Sequence, residues 1–349
     1  MQRPHSISRK GALAGIGAVA AVAGVAAPTV IFAARRQRVS VAIGAHSLVY
    51  LPWDLAQGLG YFAAEGLNVA ITYTQGGSET AQALISGSAD FSGNALDQAI
   101  AAQARGRSLV LIADFMAQPG VTLLIRPQDR ERFRSFRDLR GKAIGVPTLG
   151  GVTHVIALWV AHKAGLSRDE IRIVGVGGGG MAIAALADGT VEATFANDPF
   201  VTQMLRGGRG LSLLDLFIPA QARSAMGYEA YCFTGALTRA DVIEKNPRLT
   251  QKVVNALVRA MKFLSLRSTA QVAGALSEEL RGGISAEEWM PGLNHSRPAY
   301  TNHGEISPDG LRAVIETNAY FQNDDPGKID AGKLYDNSFV ERANRTVKL

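Results

Sequence analysis

Hydrophobic and polar positions fall into one strand–helix unit that occurs twice along the chain. In the first copy, Val39, Val41 and Ile43 alternate with Ser40 and Ala42, the period of a short strand over 39–44. The loop His46-Ser47-Leu48 follows, then apolar positions at helical spacing over about 52–64, closed by Gly66-Leu67. A second strand is predicted over 69–73. A Gly76-Gly77 turn leads into a helix ending Ala83-Leu84-Ile85-Ser86-Gly87, and a strand, Ala89-Asp90-Phe91, runs into Ser92-Gly93-Asn94.

The second copy begins with a strand over 142–146 and the loop Pro147-Thr148-Leu149-Gly150-Gly151. A helix is predicted over about 152–164, closed by Gly165-Leu166, then a strand over 171–176. The turn 177–180 leads into a helix ending Ala185-Leu186-Ala187-Asp188-Gly189, and a strand over 191–195 runs into Asn197-Asp198-Pro199. The pattern Ala-Leu-x-x-Gly-x-[Ala/Val]-[Asp/Glu] thus stands at 83–90 and again at 185–192. Strands alternating with helices through short glycine turns predict parallel sheets covered by helices on both faces. Two copies predict two α/β lobes of like topology.

After residue 231 the pattern changes. Residues 232–237 read as a strand. Helices are predicted over 241–267, with Asn246-Pro247 marking a start, and over 270–280, 285–290 and 308–321. No further glycine-turn unit occurs there, so this part is expected to wrap back onto the first lobe. The expected organisation is a leader over 1–38, a first lobe over 39–123 and 232–349, and a second lobe over 124–231. Two chain crossings, near 122–126 and 229–234, would join the lobes.

Ligands of open α/β sheets bind outside the carboxyl ends of the strands. In the first copy those ends carry His46-Ser47, Gly77-Ser78 and Ser92-Gly93-Asn94. In the second they carry Thr148, Gly150, Gly151 and Thr153, then Asn197-Asp198. All would face one crevice between opposed lobes. Glycines and small hydroxyl residues before helices leave backbone N–H groups free to bind an anion, helped by the helix dipole. Each such loop taken alone is better explained as a helix cap. The expectation of a site rests on their convergence.

Charge narrows the picture. The formal net charge is +6, with 36 Lys and Arg against 30 Asp and Glu. Arg3, Arg9, Lys10, Arg35, Arg36 and Arg38 account for all six, because 1–38 holds no acid. The remainder is balanced, which removes the main support for nucleic-acid binding. Residues 11–34 are uncharged and rich in Ala, Gly and Val, the layout of an export signal, with cleavage expected near Ala33. Ser8-Arg9-Lys10-Gly11-Ala12-Leu13 resembles a twin-arginine signal with Lys for the second Arg. The alternative is an uncleaved anchor, since 24 uncharged residues are long enough to span a membrane. Export predicts a periplasmic location.

Other motifs are set aside. Gly175-x-Gly177-x-x-Gly180 has the form of a dinucleotide fingerprint with Asp198 downstream, but the repeat places Gly76-Gly77 equivalently and explains the glycines without a nucleotide. The six histidines are scattered, and His-Glu-x-x-His and Gly-x-Ser-x-Gly are absent. Cys232, the single cysteine, reads as a small buried hydrophobe. No acid–base constellation argues for catalysis, and no metal or cofactor is expected.

Four stretches carry a family resemblance: Tyr50-Leu51-Pro52 with Gly60-Tyr61-Phe62 and Glu65-Gly66-Leu67-Asn68-Val69; Gly76-Gly77 with Ala83-Leu84 and Ala89-Asp90-Phe91; Leu139-Arg140-Gly141-Lys142 with Gly145-Val146 and His154; and Ala185-Leu186 with Val191-Glu192-Ala193 and Asp198-Pro199-Phe200. They resemble the nitrate, sulfonate and taurine solute-binding proteins of ABC importers, in the NMT1/THI5-like superfamily, over most of 40–236. The resemblance implies a type II periplasmic-binding-protein fold, hinge closure on a small ligand, an importer permease as partner, a monomer and no cofactor. It adds Tyr50 to the ligand loops. Many members have Glu-Pro where this chain has Asp198-Pro199, and a Gly-Ser pair where it has Thr148-Leu149-Gly150-Gly151. Alkanesulfonate, taurine, nitrate, an aromatic carboxylate and a pyrimidine all remain open as ligands. The pyrimidine-forming enzymes of the superfamily carry a cysteine-rich motif that this chain lacks. An enzyme on the same fold and an anchored sensory domain are the alternatives.

Overall fold

A computed structural model of the protein describes residues 36–74 and 76–349. The leader expectations fall on 1–35 and lie outside the described residues. The first sheet holds β1 (Gln37–Ile43), β2 (Leu67–Tyr73), β3 (Phe91–Ala95), β4 (Leu109–Asp114) and β10 (Thr234–Arg239), in the order β2-β1-β3-β10-β4. The second holds β5 (Thr122–Ile125), β6 (Ala143–Val146), β7 (Arg172–Gly175), β8 (Ala193–Ala196) and β9 (Leu211–Asp215), in the order β7-β6-β8-β5-β9. The orders match strand for strand, with β10 in the first sheet standing where β5 stands in the second. The two Ala-Leu-x-x-Gly units occupy equivalent places, ahead of β3 and ahead of β8.

The sheets are mixed rather than parallel throughout. β1 runs parallel to β2 and β3, but β10 is antiparallel to β3 and β4. β6 runs parallel to β7 and β8, but β5 is antiparallel to β8 and β9. Each antiparallel strand is the one the chain enters on crossing from the other sheet. The passages are 115–121 and 216–233. The first precedes the expected crossing near 122–126, because 122–125 is paired into the second sheet and a boundary at 123 would cut β5.

The helices that follow the strands are α1 (Leu51–Gly58), α2 (Tyr61–Ala64), α3 (Gly77–Ser86), α4 (Asp97–Gln103), α5 (Val152–Lys163), α6 (Gly180–Ala187), α7 (Phe200–Arg206) and α8 (Pro219–Met226). The single helix expected over 52–64 is broken at Gly60, whose φ of +69° no helix accommodates. Beyond β10 come α9 (Ala240–Lys245), α10 (Pro247–Leu266), α11 (Thr269–Gly274), α12 (Ala286–Ser296), α13 (Pro308–Gln322) and α14 (Ser338–Thr346). α10 starts where Asn246-Pro247 predicts, with the Asn246 side chain accepting the Leu249 N–H. It buries Leu249, Val253, Leu257, Met261 and Leu264 and packs on α1, α2 and α14. Each such side chain contributes about 1.5–3 kcal/mol on burial.

The C-terminal helices do not all stay with the first sheet. α12 packs on α7 and on the turn Leu48–Tyr50, and α13 packs on both α5 and α4. Tyr320 of α13 stacks on His162 and meets Trp159 edge-on, with the Arg168 guanidinium 4.7 Å above its ring. The Tyr228 hydroxyl donates to Glu316 at 2.6 Å. These contacts fasten the far end of the chain across both lobes.

Candidate functional site

The carboxyl ends of β1, β2 and β3 face those of β6, β7 and β8 across a cavity of about 310 Å³. From the first side it is lined by His46 and Ser47, by Thr74, Gly76 and Gly77, and by Asn94, Asp97 and Gln98. Thr148, Gly151 and Thr153, then 178–182, then Asn197 and Phe200 line the second side. Three helices begin at this cavity: α3 at Gly77, α5 at Val152 and α6 at Gly180. Each follows a glycine N-cap, Gly76, Gly151 or Gly179, and none carries a side-chain cap. Asn246, Ser268, Ser285 and Ser307 cap their helices with side chains, while α1, α4, α7, α8, α9 and α14 also start without one. The uncapped ends of α3, α5 and α6 therefore direct free N–H groups and positive dipole ends toward the cavity. The described lining holds no Lys or Arg.

Residues 48–266 match the family described as NMT1/THI5 like. The chain belongs to this family. It is 26% identical over 245 residues to the Bacillus subtilis (strain 168) protein named "Putative binding protein YtlA", covering 69% of this chain and 70% of that one. It is 24% identical over 227 residues to the Saccharomyces cerevisiae 4-amino-5-hydroxymethyl-2-methylpyrimidine phosphate synthase THI13, 62% of this chain and 63% of the yeast protein. Among solved structures, a Bordetella bronchiseptica RB50 protein superposes with a TM-score of 0.81 at 26% identity, over 89% of this chain and 98% of that one. The Escherichia coli periplasmic aliphatic sulphonate binding protein SsuA superposes with a TM-score of 0.64 at 20% identity, over 82% and 92%. The fold is that of the periplasmic binding proteins.

For an NMT1/THI5-like chain, most residues picked out by the repeat reach the cavity, but several side chains are already engaged. The Asn94 amide donates to Gly77 O at 2.9 Å and its Oδ1 accepts the Ala95 N–H. The Asn197 amide donates to Gly120 O at 2.6 Å, bracing the first passage between lobes. Ser47 Oγ lies 3.4 Å from Asp198 O, which also accepts the Leu48 N–H at 3.2 Å. These bonds join the lips of the crevice. His46 stacks on Tyr73 with ring centroids 3.4 Å apart, and burial holds its pKa below the ordinary histidine range. Tyr50 is buried, which raises its hydroxyl pKa, and the nearby Asp97 adds to the rise.

Ser78 and Gly150 fall outside the lining. Asp198 is the larger correction. It is fully buried, and its carboxylate points away from the crevice. Oδ1 accepts the Thr202 N–H at 3.1 Å, while Oδ2 accepts the Ser296 hydroxyl at 2.9 Å and pairs with His295 Nδ1 at 2.5 Å. His295 Nε2 reaches Asp215 Oδ2 at 2.7 Å. The fingerprint glycines consequently have no acidic partner from Asp198 at the cavity.

The sequence reading missed Asp97, Thr74, Phe195, Phe200 and Phe233, all of which line the cavity. Position within the repeat holds a usable signal: Asp97 opens α4 just as Phe200 opens α7. Gly179 has φ +57°, and an added Cβ would meet the Phe200 ring at 2.9 Å, so this glycine sets how closely the α6 turn approaches the aromatic wall. Asp97 is 2% exposed, and Gln98 Nε2 donates to its Oδ2 at 2.7 Å. Burial pushes its carboxyl up to about 7, against the hydrogen bond from Gln98.

Proposed function

We propose that this chain is the extracytoplasmic solute-binding component of an ABC importer, exported by its leader, which closes its two lobes on a small anion or zwitterion and passes it as a monomer to a membrane permease. The observation that carries this reading is the convergence of three uncapped helix starts, from both sheets, on one cavity. The named function of SsuA, aliphatic sulphonate binding, agrees with an anionic head at those N–H groups. Among the described residues no helix is long and apolar enough to cross a membrane.

The yeast relative is named a synthase, which keeps an enzyme on this fold as the competing reading. The lining argues against it. Among the described lining residues His46, Tyr50 and Asp97 are the titratable side chains, and Cys232 is buried outside the lining. Among the described lining residues no hydroxyl is hydrogen-bonded to a histidine or a carboxylate, as an activated nucleophile would be.

A thermal-shift screen of small organic and inorganic anions on the full chain tests the proposal. A ligand at a hundred times its Kd stabilises by about 2.7 kcal/mol. Thr153, on the first turn of α5, is 7% exposed and lines the cavity. A hydrogen bond to a charged group is worth about 1.5–3 kcal/mol, so Thr153→Ala weakens binding of the best anion roughly ten- to a hundredfold in titration calorimetry. An unchanged affinity would place the ligand elsewhere.

A further inference from the structure

Asp97 stands beside one of the three helix starts. An added Cβ on Gly77, the first residue of α3, would meet Asn94 Oδ1 at 2.8 Å and the Gln98 side chain at 3.8 Å. Gln98 Nε2 in turn donates to Asp97 Oδ2 at 2.7 Å. Asp97 lines the same cavity, is 2% exposed, and supplies the one carboxyl group of the described lining.

No positive charge is at hand to balance it as a carboxylate. The described lining holds no Lys or Arg, and burial keeps His46 below the ordinary histidine range. On α3, α13, β3 and β4, which pack against α4, the one basic side chain is Arg312, and it pairs with Asp309 and Glu316. Glu79 of α3 and Asp114 of β4 are further acids. Burial raises the pKa of the Tyr50 and Tyr231 hydroxyls, and nearby Asp97 adds to the rise. The Tyr231 hydroxyl shares a hydrogen bond of 3.1 Å with Thr317. Neither phenol bonds Asp97 Oδ1, a buried oxygen without a partner, and a neutral hydroxyl brings a dipole rather than a charge.

An anion drawn to the start of α3 therefore meets a carboxyl group at close quarters with no cation between them. Two like charges confined to one buried site repel, and a carboxyl relieves the repulsion by taking a proton. That proton has one place to go. The Gln98 N–H fixes Oδ2 as an acceptor, so the O–H forms on Oδ1.

We propose that the protein captures its anion together with one proton held on Asp97, whose neutral carboxyl donates its O–H to an oxygen of the ligand. This rests on the anion-binding reading above and deepens it. The proton comes from solvent on binding and returns there on release. Burial pushes the Asp97 carboxyl up to about 7, against the hydrogen bonds from Gln98, and a bound anion raises it further. The sign follows. Affinity is highest below about 7, where Asp97 is already protonated. It falls as pH rises above that value, by up to about tenfold per pH unit, until the higher pKa of the complex is passed.

The test is titration calorimetry on the full chain with ethanesulfonate, benzenesulfonate and nitrate. All three keep a single negative charge between about pH 6 and about pH 9, so any linked proton belongs to the protein. Runs at about pH 8 in Tris and in triethanolamine, which differ in heat of ionisation, count the protons from the difference in apparent binding heat. The tightest probe should take up close to one proton per ligand, and bind about tenfold or more weakly at about pH 9 than at about pH 6. Asp97→Asn keeps the shape with a permanently neutral group. It should abolish the uptake and hold the affinity near the wild-type acidic value across the range. A thermal melt checks that the variant is folded, and Asp97→Ser replaces it if it is not. Wild-type binding with no proton uptake, or an uptake that survives the substitution and so belongs to His46, would overturn the role of Asp97 and leave the anion site standing. Failure of all three probes to bind would overturn this inference together with the anion-binding reading it rests on.

Discussion

His295→Ala is expected to destabilise the protein by about 3–5 kcal/mol, the range for removing one member of a buried ion pair. His295 comes from α12, while Asp198 follows β8 and Asp215 ends β9. The imidazole is 19% exposed at the side chain and lies between the two carboxylates, at 2.5 and 2.7 Å. Burial alone would lower its pKa, but the hydrogen bonds and charges of Asp198 and Asp215 outweigh burial and push it up to about 10. The folded value thus lies above the ordinary 6.5 of an unfolded histidine. The protonated bridge contributes its full stability below 6.5 and loses it as pH rises toward about 10. Urea unfolding across that window should show the gap between wild type and variant widest at the acidic end and narrowing toward the alkaline end. Double substitution with Asp198→Asn should cost less than the sum of the single changes, because the two groups share one network. A pH-independent gap would mean that His295 is neutral and merely packed.

Gly180→Asp is expected to cut affinity for any anionic ligand by roughly a hundredfold while leaving stability equal or slightly higher. Gly180 opens α6, lines the cavity, and has nothing within 4 Å of an added Cβ. A carboxylate on the first turn of a helix is favourable by about 0.3–1 kcal/mol. The same carboxylate would face the acidic head of the ligand. At a separation of about 5 Å and an effective dielectric near 20 the repulsion is about 3 kcal/mol. Opposite signs on stability and on binding separate an anion site from a general packing defect. Gly180→Asn serves as the neutral control of the same shape. Equal calorimetric affinities for the Asp and Asn variants would contradict a negative head at this helix.

Much of the architecture was legible because the repeat is written in glycines and apolar periods that survive without tertiary knowledge. The two lobes and the crevice loops followed from it. Strand direction did not, since a buried run such as Thr122–Ile125 has no polarity in its pattern. Asp198 was misread for a physical reason. It is adjacent to Asn197, but the chain leaves β8 at Ala196 and turns there into α7, so that Asn197 reaches the cavity while Asp198 is fully buried. Its partner His295 lies 97 residues downstream, with no local signal to join them. Asp97 was overlooked because an acid opening a helix reads as an ordinary favourable charge, and only the packed structure shows it buried with an unmet oxygen. The bridging of α12 and α13 onto α7 and α5 was likewise a matter of packing that no unit of the sequence repeats.

A crystal structure of the full chain with its tightest small anion bound tests the central claim most directly. The ligand should fill the cavity, with its acidic head within hydrogen-bond reach of backbone N–H groups at the starts of α3, α5 and α6. A ligand seated outside the crevice, or one whose acidic head is turned away from all three helix starts, would contradict it.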